Sequence, residues 1–134
     1  MSNNRPVAAC LAAALCLSAG CSKEYAHKRL QKGAAEFAAV QAMLDELRAA
    51  GKDGIEVVLA RQIADGLDET RSKGLRYVLG ELATAENVTL KRVDRWRSDL
   101  FRATMESTAD GATGTVALLL VRGRDDKLYW ANTN

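Results

Sequence analysis

Residues 101–106, Phe-Arg-Ala-Thr-Met-Glu, alternate apolar with polar side chains. A period of two places Phe101, Ala103 and Met105 on one face of a β-strand and the polar residues on the other. We therefore predict a strand that buries one face against a core. The next segment, Ala-Asp-Gly-Ala-Thr-Gly at residues 109–114, is rich in turn-forming residues and predicts a turn.

Further strands are predicted on both sides of this one. Residues 115–121 form a strand that is apolar from residue 116 onward, which is typical of a central strand covered on both faces. Turn-forming residues at 123–126 precede a last short strand at 128–131, and the pattern at residues 88–97 indicates a strand before the first. Together these segments predict an antiparallel meander of three or four strands.

Three segments ahead of the strands have helical periodicity. Residues 24–50 predict a first helix, which the glycine-containing segment 51–54 ends. Residues 55–69 and 70–86 predict two more helices. The β-branched start of the second, at residues 55–58, leaves a short strand open as an alternative.

Helices followed by an antiparallel sheet belong to the α+β class. We predict two or three N-terminal helices packed on a meander of three or four strands, in a single domain at residues 30–134. The composition, with 48% hydrophobic and 27% charged residues, is close to that of an ordinary globular domain. The net charge of +2 gives no general electrostatic reason to bind nucleic acid.

This order of elements, ending in Lys127-Leu128-Tyr129-Trp130, resembles the cone-shaped α+β fold of the nuclear transport factor and ketosteroid isomerase-like superfamily. Many small bacterial lipoproteins are similar to members of that superfamily. Its enzymes use an acidic base with acidic or phenolic donors inside the cone. No specific motif of these enzymes occurs in this chain, so the resemblance implies no catalytic residue.

The N-terminal segment has the pattern of an export signal. Arg5 precedes an uncharged, apolar run at residues 7–19, and polar residues follow. A run of this length is shorter than the ~20 residues that a membrane-spanning helix needs. The segment ends in Leu17-Ser18-Ala19-Gly20-Cys21, which resembles the lipobox of bacterial lipoproteins, with Ser18 where leucine is commonest.

That resemblance implies a diacylglyceryl group on the sulfur of Cys21, cleavage before Cys21 by signal peptidase II, and a further acyl chain such as palmitate on the new amino group. The chain would then divide into a leader at residues 1–20, an acylated cysteine with a short tether at 21–29, and the domain at 30–134. The alternative is an ordinary signal peptide cut nearby, with Cys21 incidental.

The other cysteines agree with this division. Cys10 and Cys16 lie inside the apolar run and would leave with the leader, so Cys21 would have no partner for an internal disulfide. Ser22 stands where enteric lipoproteins retained in the inner membrane carry aspartate. For a Gram-negative source, this favours the inner leaflet of the outer membrane, facing the periplasm.

The densest basic segment surrounds Trp96. Its basic residues are Lys91, Arg92, Arg95, Arg97 and Arg102. Arg92, Arg95 and Arg97 are our candidates for contact with an anionic partner, either lipid phosphates or an acidic protein. The alternative is a sheet edge protected by charge. Strand parity separates Arg92 from Arg95 and Arg97, so we expect those two to share a face.

Other ionisable groups predict no metal or cofactor site. His27, the only histidine, stands among basic residues and is expected to face solvent. Asp65, Asp68 and Glu69 could share a helix face, but the basic residues around them favour a solvated surface. The chain contains no phosphate-binding glycine loop, nucleophile elbow or zinc-protease motif.

These features predict a lipid-anchored lipoprotein of the cell envelope, with a non-enzymatic binding or scaffolding domain in the periplasm. The expected partners are the membrane itself and an envelope protein or anionic lipid, but not nucleic acid. One alternative is a small-molecule or lipid carrier with a cone-shaped pocket lined by Trp96, Met105 and Tyr129. A second is an enzyme of the ketosteroid isomerase-like superfamily.

Overall fold

The computed structural model describes residues 28–133, which form five strands and three helices. In chain order these are β1 (Lys28–Arg29), α1 (Ala35–Ala49), α2 (Gly51–Gln62), α3 (Glu69–Thr84), β2 (Asn87–Arg97), β3 (Leu100–Ala109), β4 (Ala112–Arg122) and β5 (Leu128–Thr133). The strands form one antiparallel sheet in the order β1-β2-β3-β4-β5. The predicted α+β class is confirmed, with β1 as an additional strand.

The core lies between the three helices and one face of the sheet, which we call the inner face. In β3 the inner face carries Phe101, Ala103 and Met105, all fully buried, as the alternation predicts. They join apolar side chains of α1, α2 and α3 in one cluster. The opposite side of the sheet, which we call the outer face, has no helix packed on it within residues 28–133.

The prediction for β4 is correct in position but wrong in burial. Leu118 and Leu120 are fully buried on the inner face. Leu119 and Val121 pair with Arg102 and Leu100 on the outer face and are only half-buried. The continuous apolar run therefore marks a strand with one covered face and one partly exposed apolar face.

The N-terminal helix is shorter than predicted. Lys28 and Arg29 lie in β1 opposite Arg95 and Asp94, and the helix begins only at Ala35. Thus the sheet includes two residues that were predicted to belong to the tether.

The first two helices are separated by a bend rather than by a four-residue loop. Gly51, with φ of +69°, permits the bend, and the predicted terminator at residues 51–54 forms the first turn of α2. Residues 55–58, for which a short strand was the alternative, are part of this helix. The third helix, predicted at 70–86, spans Glu69–Thr84.

The turn between β3 and β4 is tighter than predicted. Only Asp110 and Gly111 lie outside the strands, and both have positive φ, as a two-residue type I′ hairpin turn requires.

The two edges of the sheet differ. On one edge the two-residue β1 covers only the Asp94–Arg95 part of β2. On the other, Ile63 forms a parallel bridge with Trp130, and the backbone N–H of Ala64 donates to the carbonyl oxygen of Trp130 at 2.9 Å. The segment between α2 and α3 therefore protects part of β5.

Two glycine substitutions should change stability in opposite directions. Gly80 lies inside α3 with open space around its Cα, so Gly80→Ala should raise the free energy of unfolding by up to about 1 kcal/mol. Gly51→Ala should lower it by about 1 kcal/mol, because its positive φ strains any side chain. Urea unfolding of the two variants checks this, and a shift of the same sign in both would contradict it.

Candidate functional site

The outer face has Asp94 at the centre of a group of basic and aromatic side chains. Asp94 is fully buried although no helix of the described residues covers this face. Along β2, Arg92 precedes it by two residues and Trp96 follows it by two. Across the sheet, Arg29 of β1 lies directly opposite, as does Arg102 of β3. We call these five residues the arginine cluster.

The carboxylate of Asp94 is held by two guanidinium groups. Arg92 donates from Nε to Oδ2 at 3.0 Å and from Nη2 to Oδ1 at 2.8 Å, which is a forked pair. Nη2 of Arg102 lies 3.5 Å from Oδ2, and the guanidinium carbon of Arg102 lies 5.5 Å from the ring centroid of Trp96. The side chains of Arg92 and Arg102 thus bridge Asp94 to its neighbours on the outer face.

These contacts keep Asp94 ionised. Burial opposes the charged form, but the hydrogen bonds and positive charge of Arg92, followed by the charge of Arg102, outweigh it and hold the pKa of Asp94 below its ordinary value. The hydrogen bond to Asp94 in turn raises the pKa of Arg92. Asp94 is therefore an anion at neutral pH, fixed between cations.

The cluster still carries an excess of positive charge, with three guanidinium groups and one carboxylate. Arg29 is exposed and forms no ion pair within residues 28–133. The Nε of Arg102 is buried without a hydrogen-bond partner in the same part of the chain. Guanidinium groups next to an aromatic ring suit the recognition of carboxylate or phosphate, so this surface can bind an anion.

The three predicted contact residues do not lie together. Arg92 belongs to the arginine cluster, where its guanidinium group is paired with the carboxylate of Asp94. Arg95 pairs with Phe101 on the inner side, whereas Arg97 pairs with Leu100 on the outer side, because the register shifts between them. The expectation that Arg95 and Arg97 share a face is wrong, since a bulge at this point breaks the strand parity.

Arg95 and Arg97 also have different partners. Arg97, which is 61% exposed, has its Nε 3.6 Å from Oδ1 of Asp99. A backbone hydrogen bond at the start of α1 lowers the pKa of Glu36, and the hydrogen bond and charge of Arg122 and then the charge of Arg95 lower it further. The positive charge of Arg95 therefore acts on the helix side of the sheet. Of these two residues, only Arg97 adds positive charge to the outer face.

A groove on the other side of the molecule is the second candidate site. It has a volume of about 640 Å³ and lies between α1, the end of α2 and the β4–β5 turn. Its apolar lining consists of Ala35, Ala39, Ala42, Met43 and Leu128. At one end, Nη2 of Arg122 lies 3.0 Å from Oε2 of Glu36, and at the other, Nη1 of Arg61 lies 2.6 Å from Oε2 of Glu46.

A buried hydrogen-bond network forms one wall of the groove. Trp130, fully buried, donates from Nε1 to Oε1 of Gln62 at 2.9 Å. The amide nitrogen of Gln62 donates to the carbonyl oxygen of Met43 and to Oε1 of Glu46, both at 3.0 Å. Hydrogen bonds from Arg61 and then from Gln62 lower the pKa of Glu46. The polar groups of this wall are thus paired within the protein.

The residues expected to line a cone-shaped pocket lie apart. Met105 is fully buried in the core on the inner face. Trp96 contacts Arg102 on the outer face, and Tyr129 pairs with Val121 on that same face. Because the sheet separates Met105 from the two aromatic residues, these three side chains do not line one pocket.

The remaining candidates from the sequence either stabilise α3 or lie outside the described residues. Asp68 caps α3 by accepting from the backbone N–H of Arg71 at 2.8 Å, and Glu69 pairs with Lys73 on the exposed side of α3. Residues 28–133 contain no group of acidic, histidine or cysteine side chains arranged to hold a metal ion. Cys21 and His27 lie outside the described residues.

No protein family, curated protein or solved structure was found to match this chain. Within the described range, none of the helices combines the length and apolar character needed to cross a bilayer. The function therefore has to be inferred from the N-terminal sequence, the arginine cluster and the groove.

Proposed function

We propose that this chain is a bacterial envelope lipoprotein, anchored by lipid on Cys21, whose α+β domain binds an anionic envelope component without catalysing a reaction. The observation that carries the proposal is the arginine cluster on the outer face of the sheet, opposite the three described helices. It combines three guanidinium groups and Trp96 with one carboxylate, Asp94. Such a surface attracts and orients anions, and its chemistry does not require a reacting group.

The electrostatics of the cluster favour binding over catalysis. General acid–base catalysis needs a group that exchanges a proton near the working pH. Asp94 is instead held ionised by Arg92 and Arg102, and its lowered pKa keeps it outside that range. Its role in this proposal is to fix the two guanidinium groups in place, so that their remaining N–H donors face a partner.

A small-molecule carrier is the second candidate function, and the groove favours it. A volume of about 640 Å³ lies within the range of roughly 300–1,000 Å³ that ligand sites occupy. The groove combines an apolar floor with charged groups at both ends, which would suit a ligand with an apolar body and polar ends. The pairing of Glu36 with Arg122 and of Glu46 with Arg61 makes it the weaker candidate.

The anchor is tested by the intact mass of the mature protein. We expect the wild-type chain to begin at Cys21 and to carry the mass of two or three acyl chains, because Cys21 ends the lipobox-like segment. Cys21→Ser should carry no lipid and should leave the membrane fraction. Cys16→Ser, a matched change within the leader, should give the wild-type mature mass.

An unmodified wild-type chain that begins at another residue would refute the anchor. For a Gram-negative host, Ser22 supports delivery to the inner leaflet of the outer membrane, and separation of the two membranes followed by detection of the protein tests this. Recovery mainly with the inner membrane would refute that location.

A further inference from the structure

We infer that the outer face of the sheet docks onto the phosphate headgroups of the membrane that holds the Cys21 lipid, so that the sheet faces the bilayer and the helices face away from it. This inference rests on the lipid anchor proposed above. It adds an orientation, a contact surface and the chemistry of the partner, which is an anionic phospholipid. The contact residues are Arg29, Arg97, Arg102 and Trp96.

The first argument is the length and position of the tether. Only six residues separate Cys21 from Lys28, where the described chain begins, so the two are joined by seven Cα–Cα steps. Even fully extended, they reach at most about 25 Å. Because Lys28 and Arg29 pair with Arg95 and Asp94, the tether enters the domain beside the arginine cluster. The anchor therefore holds this region of the domain near the bilayer surface.

The second argument is the distribution of charge on the outer face. Arg29, Arg92 and Arg102 surround Asp94, and Arg97 extends the positive region toward the β2–β3 turn. The acidic Asp99 lies there beside Arg97, with 3.6 Å between Nε and Oδ1.

Glu106, the acidic residue of β3, stands on the outer face four residues along the strand from Arg102, about 13 Å away. Along β1, β2 and β3, the end of the face nearest the tether is thus the positive one, as attraction to anionic headgroups requires, whereas the acidic Asp65 and Asp125 lie farther across the sheet beside Val121 and Tyr129.

The third argument is the apolar content of the same face. Trp96 is half-buried beside Arg102, and tryptophan favours the headgroup level of membranes because it joins an apolar ring to a polar N–H. Leu100, Leu119 and Val121 are half-buried on the outer face, and none of the three described helices covers them. Contact with the interface would remove part of this apolar surface from water.

These observations favour a membrane over an acidic protein as the partner. The arginine cluster lies on the outer face of the sheet. It is therefore separate from the cavity lined by α1 and α2, which is on the helix side. The tether also keeps the bilayer within reach at all times, which gives a high effective concentration. An acidic protein would have to compete with a surface that is already linked to the domain.

The test uses the mature lipidated protein in vesicles of phosphatidylcholine, with or without phosphatidylglycerol, in which a fraction of the acyl chains is brominated. Bromine quenches only nearby tryptophan. Trp130 is fully buried and serves as an internal reference, whereas Trp96 lies on the proposed contact face. We expect quenching in the anionic vesicles at low salt, its loss in Trp96→Phe, and its reversal by added salt.

A double variant, Arg29→Gln with Arg97→Gln, removes two charges but leaves both partners of Asp94 in place. It should shift the docking equilibrium toward the undocked state by roughly tenfold or more. The matched control is Arg71→Gln with Arg76→Gln, which removes two α3 arginines on the helix side and their ion pairs with Asp68 and Glu56. The control should be quenched like the wild type.

The outcomes separate this inference from the proposed anchor. If mass analysis shows lipid on Cys21 but Trp96 is equally unquenched in anionic and neutral vesicles, the docking is refuted and the anchor stands. If no lipid is present, the anchor itself fails. Electrostatic docking would also be overturned if the quenching of Trp96 were unchanged by added salt and by the double variant. Binding of polyglutamate to the same residues, with Trp96 unquenched in vesicles, would replace the membrane by an acidic protein.

Discussion

Trp130→Ala should lower the free energy of unfolding by about 3–5 kcal/mol, as is typical of large aromatic residues removed from a core. Trp130 is fully buried, belongs to the central hydrophobic cluster and donates to Gln62. Its removal leaves a large cavity and an unpaired amide oxygen at the junction of α2 and β5. Urea unfolding of both proteins measures the difference.

Two further variants make this prediction specific. Tyr77→Ala, at a position that is 70% exposed, should change the free energy of unfolding by less than about 0.5 kcal/mol. Gln62→Leu keeps the volume but leaves Nε1 of Trp130 without its acceptor, so it should cost about 1–3 kcal/mol. A loss below about 1 kcal/mol for Trp130→Ala would show that Trp130 is not part of a close-packed core.

Asp94→Asn is expected to lower the free energy of unfolding by about 2–3 kcal/mol. The change removes the negative charge that Arg92 and Arg102 share. Fully buried ion pairs cost more to break, but these arginine side chains are 35% and 23% exposed and can regain water. Asp45→Asn, an exposed change of the same type, should shift the free energy by less than about 0.5 kcal/mol.

The effect of Asp94→Asn should depend on pH in a defined direction. The pKa of Asp94 is lowered in the folded state, so its stabilising contribution is present above the unfolded pKa of ~3.9. That contribution is lost as the pH falls through the lower, folded value. The difference between wild type and variant should therefore be constant from pH 5 to 7, within about 0.3 kcal/mol, and shrink below about pH 4. A difference that grows in acid would refute the assignment.

Strand β3 and helix α3 were predictable because the sequence patterns that specify them are local. The alternation at residues 101–106 fixes which side chains of β3 face the core, and the periodicity at 70–86 places α3 within two residues at each end. β1 was not predictable in this way. Lys28 and Arg29 lie in a segment with helical composition, but they pair with residues more than sixty positions later, and such long-range pairing overrides local propensity.

The arginine cluster was predictable only in part. Arg92, Trp96 and Arg102 stand out as basic and aromatic residues in the sequence. Asp94, in contrast, reads as a solvated acid among arginines, and its burial depends on Arg29 and Arg102 lying opposite it in neighbouring strands. The opposite orientations of Arg95 and Arg97 depend on a bulge for which the sequence gives no separate signal.

The unequal edges of the sheet limit how copies of this domain can assemble. Within residues 28–133, β2 offers an open stretch of backbone from Asn87 toward Val93, whereas the segment at Ile63 and Ala64 interrupts the far edge along β5. Fibres that grow by strand addition need two open edges on every copy. With one long open edge, pairing of two sheets uses both available edges and produces a closed, two-fold symmetric dimer that does not propagate. Strand addition between copies of the described domain should therefore stop at the dimer instead of extending into fibres.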